Sequence, residues 1–303
     1  STPIKSSAAS DVYKRQNMRI SELFGKGKCV FSFEVFPPKK NMPCDTIYST
    51  LDSLKKLDPA FISVTYGAGG SDGNNITGKI AAHIKNDLGI ESAAHLTCVS
   101  NTKQDIDIIL EGLKADGIEN ILALRGDINP ERPPKNDFRY ASDLIRYIKS
   151  KGDFHISAAC YPECHVEAPD MITDIKYLKE KVDAGAEHLM SQLFFDNSHF
   201  YNFLEKARIA GINVPIEAGI MPVVNKKQIE RMVSMCGASL PVKFTRMMAR
   251  YENNPEALRD AGIAYAIDQI VDLISSGADG IHLYTMNNPY VAEKISSAVS
   301  GLL

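Results

Sequence analysis

In the run Phe31-Ser32-Phe33-Glu34-Val35-Phe36-Pro37-Pro38, one carboxylate sits inside an aromatic stretch that ends in two prolines. As a β-strand its side chains alternate in direction, so Phe31, Phe33 and Val35 share one face and Ser32, Glu34 and Phe36 the other. An ionised carboxylate among aromatics is costly unless paired, and such a group tends to keep its proton. Glu34 in that state fits a general acid. It fits equally well a buried Glu held by neighbouring backbone or by an Arg, and both readings stay open on this stretch.

Other segments carry groups of the same kind. Leu124-Arg125-Gly126-Asp127 closes an apolar run with a cation, a glycine and an anion, which suits close approach of a planar, polarised ligand and suits equally a surface turn with an internal Arg–Asp pair. His95 and His165 stand among polar neighbours near the ends of apolar runs, where an imidazole is either structural or a base. Gln192 is an amide flanked by Leu193, Phe194 and Phe195, and it must find partners in backbone or in a bound heterocycle. Tyr66-Gly67-Ala68-Gly69-Gly70 is glycine-rich but lacks a nucleotide-binding spacing and reads as a flexible loop. Cys160, Cys164 and His165 have a spacing unlike common zinc sites, with no second ligand pair near, so no metal is expected.

These groups share a position within a repeating unit. Apolar, β-rich runs occur at 29–36, 61–66, 92–98, 120–125, 156–161, 188–195, 214–221 and 280–286. Segments of helical period lie between them, as with Ile106, Ile109, Leu110 and Leu113, and with Ile267, Ile270, Val271 and Ile274. Asp116-Gly117, Ala184-Gly185 and Ala210-Gly211 provide helix stops just before the next strand. Eight strand–helix units with no composition break predict a single α/β domain, a (β/α)8 TIM barrel, with minor extra helix over 240–265. In that fold the chemistry gathers where strands end. Glu34, Thr65-Tyr66, His95, Arg125-Gly126-Asp127, Tyr161 with His165, Gln192 and Tyr284 all close strands, so seven of the eight deliver polar groups to one rim.

Composition narrows the partners. The chain has 303 residues, 44% hydrophobic and 23% charged, with a formal net charge of -3, which gives no electrostatic case for nucleic acid or an anionic membrane. No apolar run approaches the length of a membrane span. Six scattered cysteines (Cys29, Cys44, Cys98, Cys160, Cys164, Cys236) read as reduced thiols, and a cytoplasmic protein is expected. Residues 1–17 are polar, Ser-rich and aperiodic; they read as a non-native or disordered extension, with the barrel over 18–303.

The motifs FEVFPPK, SVTYGAGG, AHLTC, ALRGD, YASDL, AACYPECH, KVDAGA, SQLFFD and HLYTMN, in this order from Phe33 to Asn287, resemble the bacterial methylenetetrahydrofolate reductase family. The resemblance implies an FAD-containing barrel that reduces 5,10-methylenetetrahydrofolate with NADH or NADPH. By the same resemblance, Glu34 is the general acid that protonates the folate N10, and Asp127 is the aspartate beside flavin and pterin. Flavin contacts fall on Thr65, Tyr66, Ala68, His95, Leu124, Arg125, Gly126, Asp127, Tyr140, Ala141, Tyr161, His165, Ala168, Asp174 and Lys181. Substrate contacts fall on Asp127, Gln192, Gln228 and Tyr284. Asp174 and Lys181 are seven residues apart and so share a helix face.

The chain departs from the family pattern at Tyr177 and Glu180, which stand where an amide and an arginine reach the FAD, at Met232 in place of an aromatic, and at Asn288 in place of an arginine for the folate glutamate tail. A homo-oligomer is expected. Three alternatives remain: a flavin and folate subunit that takes electrons from a partner protein rather than from NADH, a pterin-binding methyltransferase without FAD, and a folate-binding module without turnover.

Overall fold

The computed structural model describes residues 18–38, 45–66, 76–128, 133–225, 229–230, 233 and 236–303. The extension over 1–17, Cys44, Ala68 with the rest of its glycine-rich loop, Gln228 and Met232 lie outside the described residues.

Eight parallel strands close into a barrel in chain order. They are β1 (Val30–Val35), β2 (Phe61–Val64), β3 (Glu91–Thr97), β4 (Asn120–Leu124), β5 (His155–Cys160), β6 (His188–Ser191), β7 (Ile216–Ile220) and β8 (Gly280–Tyr284). Closure is direct: β1 pairs with β8 through Val30↔Gly280, Ser32↔His282 and Glu34↔Tyr284. The α-helices among the described residues are α1 (Asp45–Lys55), α2 (Ile76–Ala82), α3 (Lys103–Ala115), α4 (Ala141–Lys151), α5 (Met171–Asp183), α6 (Asn197–Ile209), α7 (Val242–Tyr251), α8 (Pro255–Ser275) and α9 (Pro289–Val299). Helix α7 is the extra element expected over 240–265. No helix among the described residues is long and apolar enough to cross a membrane.

Alternation along the strands builds the two layers. Phe31, Phe33 and Val35 of β1, Ile62 and Val64 of β2 and Ile281 and Leu283 of β8 point outward and pack beneath the helices in one continuous core. Burial of each such side chain stabilises by about 1.5–3 kcal/mol. The opposite residues fill the barrel, and many are polar: Ser32, Ser63, Ser157, His188, Glu217 and His282 are all fully buried. A short 3-10 segment, Ile20–Leu23, closes the N-terminal end, where the Ile20 N–H donates to Asn120 Oδ1 (3.0 Å) and the Ser21 N–H to His155 Nε2 (3.1 Å).

Helix boundaries follow the expected chemistry. Thr102 caps α3 in a reciprocal capping box with Asp105, and Asp170 caps α5 by accepting from the Thr173 N–H. Gly117, Gly185 and Gly211 all adopt positive φ where α3, α5 and α6 end. The run over 188–195 is a shorter strand than its composition suggests. Ser191 ends β6, after which Leu193 and Phe195 leave the barrel for a second apolar cluster with Met221, Phe244 and Met248.

Candidate active site

Because every strand is parallel, all C-terminal ends open on one rim, and the polar residues that close the strands meet there. Glu34 is positioned from both sides of the β1–β8 seam. Its carbonyl accepts from Thr285 Oγ1 (2.7 Å), and two residues on, Asn287 clasps the backbone of Phe36, donating from Nδ2 to the Phe36 carbonyl (2.8 Å) and accepting the Phe36 N–H at Oδ1 (3.0 Å). Met286 and Asn287 both adopt φ of 52° to make that turn, a conformation disfavoured for side-chain-bearing residues.

The Glu34 side chain does not sit among aromatics as the sequence suggests. Phe31 and Phe33 face the helices, and Phe36 lies past the end of the strand, so the carboxylate faces two imidazoles instead. Glu34 Oε2 is 3.6 Å from His95 Nε2 and 3.6 Å from His282 Nε2. No arginine pairs with it among the described residues. Burial pushes the His95 imidazole down to about 4, against the opposing pull of Glu34, so His95 is neutral at physiological pH. Its Nε2 is buried with no hydrogen-bond partner among the described residues. Tyr284, level with Glu34 on the neighbouring strand, leans across Gly219 to donate to the Ser191 carbonyl (2.8 Å). A Cβ on Gly219 would meet the Tyr284 hydroxyl at 2.6 Å, so only glycine leaves room for that bridge. Burial, reinforced by Glu34, raises the Tyr284 phenol well above its ordinary range, and it stays protonated.

Beside Tyr284, Gln192 turns its amide oxygen to its neighbour's backbone, accepting the Leu193 N–H at 2.9 Å. This half-satisfied amide is the backbone alternative of the sequence reading, and the amide nitrogen keeps its donors for another partner. Asp127 is exposed on the rim with no hydrogen bond or ion pair among the described residues.

Arg125 does not pair with Asp127, as an internal turn would have it. Its guanidinium takes both oxygens of Glu167, at 2.5 and 2.7 Å. The chain turns sharply after Arg125, sending Asp127 elsewhere. Gly126 has φ of 86°, and a Cβ there would lie 2.9 Å from Thr97 Cβ. The glycine is therefore required by its own backbone and by packing against Thr97 at the end of β3.

From Arg125 a cleft runs between the ends of β4 and β5 and helices α4 and α5, enclosing about 970 Å³ of space that is partly open to solvent. Leu124, Tyr140, Ala141, Tyr161, His165, Ala168, Asp174 and Lys181 line it together with Arg125. Thr65 and Tyr66, just past the end of β2, and His95 on β3 do not line it. Asp174 and Lys181 do share a face of α5. Asp174 accepts the His165 N–H (2.9 Å), and the Lys181 ammonium donates to the Ala159 carbonyl (2.8 Å) beneath the Tyr161 ring. Burial lowers the Lys181 ammonium from its ordinary value, with Asp174 opposing. Burial also lowers the His165 imidazole, whose Nδ1 accepts the Glu167 N–H. Tyr177 and Glu180 line the same cleft, so the departures at these positions face its contents. Asn288 has a local task, since its Oδ1 accepts the Val291 N–H and caps α9.

The cleft suits an elongated anionic dinucleotide. It has small alanine walls for a flat ring, exposed tyrosines at its edge, and two cations within reach. Arg125 is tied to an exposed Glu167 only by a surface pair of the kind worth little in water, so a phosphate can replace that carboxylate. Three residues near the site have no role assigned from the sequence: Glu167, Asn287 and His282. Glu167 sits in a polar loop with no pattern to flag it, whereas Asn287 and His282 lie within HLYTMN, and alternation along β8 puts His282 on the same face as Tyr284 two residues on.

A (β/α)8 barrel of parallel strands, with a carboxyl at the end of β1 and an open cleft between the ends of β4 and β5, is the class these features define. Residues 19–300 match the family model "Methylenetetrahydrofolate reductase". The chain is 38% identical to the 5,10-methylenetetrahydrofolate reductase of Pectobacterium carotovorum subsp. carotovorum, covering 89% of each protein. It is 36% identical to that of Escherichia coli (strain K12), covering 89% of this chain and 90% of that one. It is also 37% identical to methylenetetrahydrofolate reductase (NADH) 1 of Arabidopsis thaliana, but there it spans only 48% of the relative's length. The chain belongs to the methylenetetrahydrofolate reductase family. Among solved structures, a Clostridium thermocellum protein described as binding two copies of 5-methyl-5,6,7,8-tetrahydrofolic acid shares the fold, with a TM-score of 0.65, 14% identity, and coverage of 91% of this chain and 96% of that one.

Proposed function

We propose that this chain is an FAD-dependent reductase of 5,10-methylenetetrahydrofolate, forming 5-methyltetrahydrofolate with NADH or NADPH as electron donor. The observation that carries the reading is the juxtaposition on one rim of the Glu34 carboxyl, held between two imidazoles, and an open cleft that carries Arg125 and Lys181. The names of the family's bacterial and plant members support the substrate, and the plant names support NADH.

Bound FAD supplies a hydride carrier between nicotinamide and folate. Arg125 and Lys181 would hold its phosphates, Lys181 being anchored on the Ala159 carbonyl with the Asp174 charge near it. Glu34 gives its proton to the folate N10, which opens the five-membered ring and leaves an iminium cation on the substrate. Asp127, unpaired on the rim, stabilises that positive charge. Gln192 and Tyr284 orient the ring system that occupies the site, and neutral His95 leaves the acid proton on Glu34 rather than competing for it.

The test is anaerobic. NADH should bleach the flavin of the purified holoenzyme, and methylenetetrahydrofolate should then restore its colour. A flavin that NADH leaves oxidised, yet that folate reoxidises after chemical reduction, would move the reading to a subunit served by a partner protein. A protein that takes up no FAD would overturn it.

A further inference from the structure

Given that Glu34 donates a proton, each turnover leaves it ionised beneath bound cofactor and substrate, and it must be recharged. We infer that a buried relay, Glu217–Ser32–His282, returns that proton to Glu34 through the barrel interior from the N-terminal side. The inference rests on the proposed function for its purpose and on the geometry for its path.

The path is continuous. His282 Nε2 lies 3.6 Å from Glu34 Oε2 and 3.2 Å from Ser63 Oγ. His282 Nδ1 is 2.6 Å from Ser32 Oγ, which in turn lies 2.9 Å from Glu217 Oε1. Glu217 Oε2 faces His188 Nε2 at 3.3 Å, and His188 Nδ1 lies 2.9 Å from Ser157 Oγ. Ser32, His282, Glu217 and His188 are all fully buried. Barrel interiors of this fold are ordinarily filled by branched apolar residues, and an ion buried without an arginine or lysine costs several kcal/mol. A carboxylate and two imidazoles in place of leucines therefore need a reason.

Around Glu217 stand Ser32 and His188, with the Phe24 ring and the half-buried Cys29 thiol toward the N-terminal face. Cys29 also lines a cavity at the N-terminal face with Met18, Lys26 and Lys28, the side from which the proposed path draws its water. Around His282 stand Ser32, Ser63, Glu34, His95, Tyr284 and the stacked ring of Phe61. His95 reaches Glu34 at the same distance, but no hydrogen bond from its Nε2 leads on among the described residues.

Recharging balances without electrons. The His282 Nε2–H bond breaks as an O–H bond forms on Glu34, the remaining gap closing by side-chain movement or one bridging water. Nδ1 takes the Ser32 hydroxyl proton, Ser32 takes one from the Glu217 carboxyl, and Glu217 regains one from water at the N-terminal face; the imidazole and the Ser32 hydroxyl then turn to restore the Nε2–H and the starting hydrogen bonds. One solvent proton enters for each proton given to folate.

The test uses holoenzyme of the wild type, Glu217→Gln and Ser32→Ala. Each is reduced, mixed with methylenetetrahydrofolate, and followed through the first and later turnovers in H2O and D2O. The first flavin reoxidation should match the wild type, since it draws only on the proton that the proposed function assigns to Glu34. Later turnovers should slow about tenfold with a larger solvent isotope effect, while reduction by NADH is unchanged. Later turnovers as fast as the first, or first and later slowed alike, would overturn the relay. A wild type that never reoxidises with folate would instead sink the proposed function. Independently of turnover, 15N spectra of the histidine rings in the folded protein should show the His282 signals shifted by Glu217→Gln and by Ser32→Ala. Signals unmoved by either variant would overturn the relay whatever the activity.

Discussion

The two ends of the barrel interior are both polar, yet they spend their polar groups differently. At the C-terminal rim, Asp127, the Gln192 amide nitrogen and His95 Nε2 make no hydrogen bond among the described residues, and Arg125 is held by the exposed Glu167 carboxylate and a long bond to the Gly126 carbonyl. At the N-terminal end, Asn120 and His155 bind the backbone of the closing segment, and Lys85 and Glu91 form an ion pair with both side chains only 3% exposed. Polarity inside this barrel is thus no mark of function by itself, and neither is an unpartnered atom, since Lys85 Nζ and His155 Nδ1 also lack hydrogen bonds among the described residues; what separates the rim is that its polar groups stand at the strand ends, where a ligand can reach them. Mutations at the rim should cost chemistry with little stability, and mutations at the other end the reverse.

The sharpest test of that contrast is Glu34→Gln. Folate-dependent reoxidation of the flavin should fall about 10²- to 10⁴-fold, because an amide cannot donate the proton. Flavin content, NADH reduction and melting temperature should stay near wild type, and a large drop in melting temperature would break the contrast. Lys85→Ala should do the opposite. It strands the buried Glu91 carboxylate, whose pKa burial already raises against the pull of Lys85, and should cost about 3–5 kcal/mol in urea unfolding. The kinetics of whatever remains folded should be normal.

Acid should act on both ends together. The folded His95 and His155 imidazoles are held down to about 4 and about 3 by burial, whereas in the unfolded chain each protonates near 6.5. The unfolded state therefore binds more protons below pH 6.5. Their contribution to stability is complete above that pH and is lost as pH falls toward 4. Melting temperatures recorded across this window should decline with acid, and double replacement of the two histidines should flatten the decline.

Asn287→Ala removes both bonds to the Phe36 backbone and should cost about 1–3 kcal/mol. Since that clasp also sets the height of Glu34, folate turnover should drop while reduction by NADH holds, placing this residue on the rim side of the contrast. The smallest effect is expected far from either end. Thr102→Ala loses the α3 cap, and thermal unfolding should register about 1 kcal/mol with unchanged kinetics.

Much of this was legible before any coordinates. The eight units, the helix stops at Gly117, Gly185 and Gly211, and the shared face of Asp174 and Lys181 follow from local periodicity, which reports on elements shorter than the chain's folding distance. The immediate partners were not legible. Arg125 passes over Asp127 two residues away for Glu167, forty-two residues on, because the turn at Gly126 sends Asp127 elsewhere. Glu217 carried the same signature as Glu34, a carboxylate within an apolar strand, and could have been flagged by it. Its link to β1 depends on which strands meet when the barrel closes.

By itself, the sequence determined the repeating strand–helix unit, the side of each strand that is polar, and so the rim on which chemistry could gather. These follow from alternation and capping, which act over a few residues. Only the tertiary structure decided which polar groups neutralise one another and which stay open. Closing β1 against β8 brings residues some 250 positions apart within hydrogen-bond distance, as with Ser32 and His282. The cost of burying a charge depends on those long-range neighbours, and that is why Glu34 sits between two imidazoles rather than among the phenylalanines that flank it in the chain.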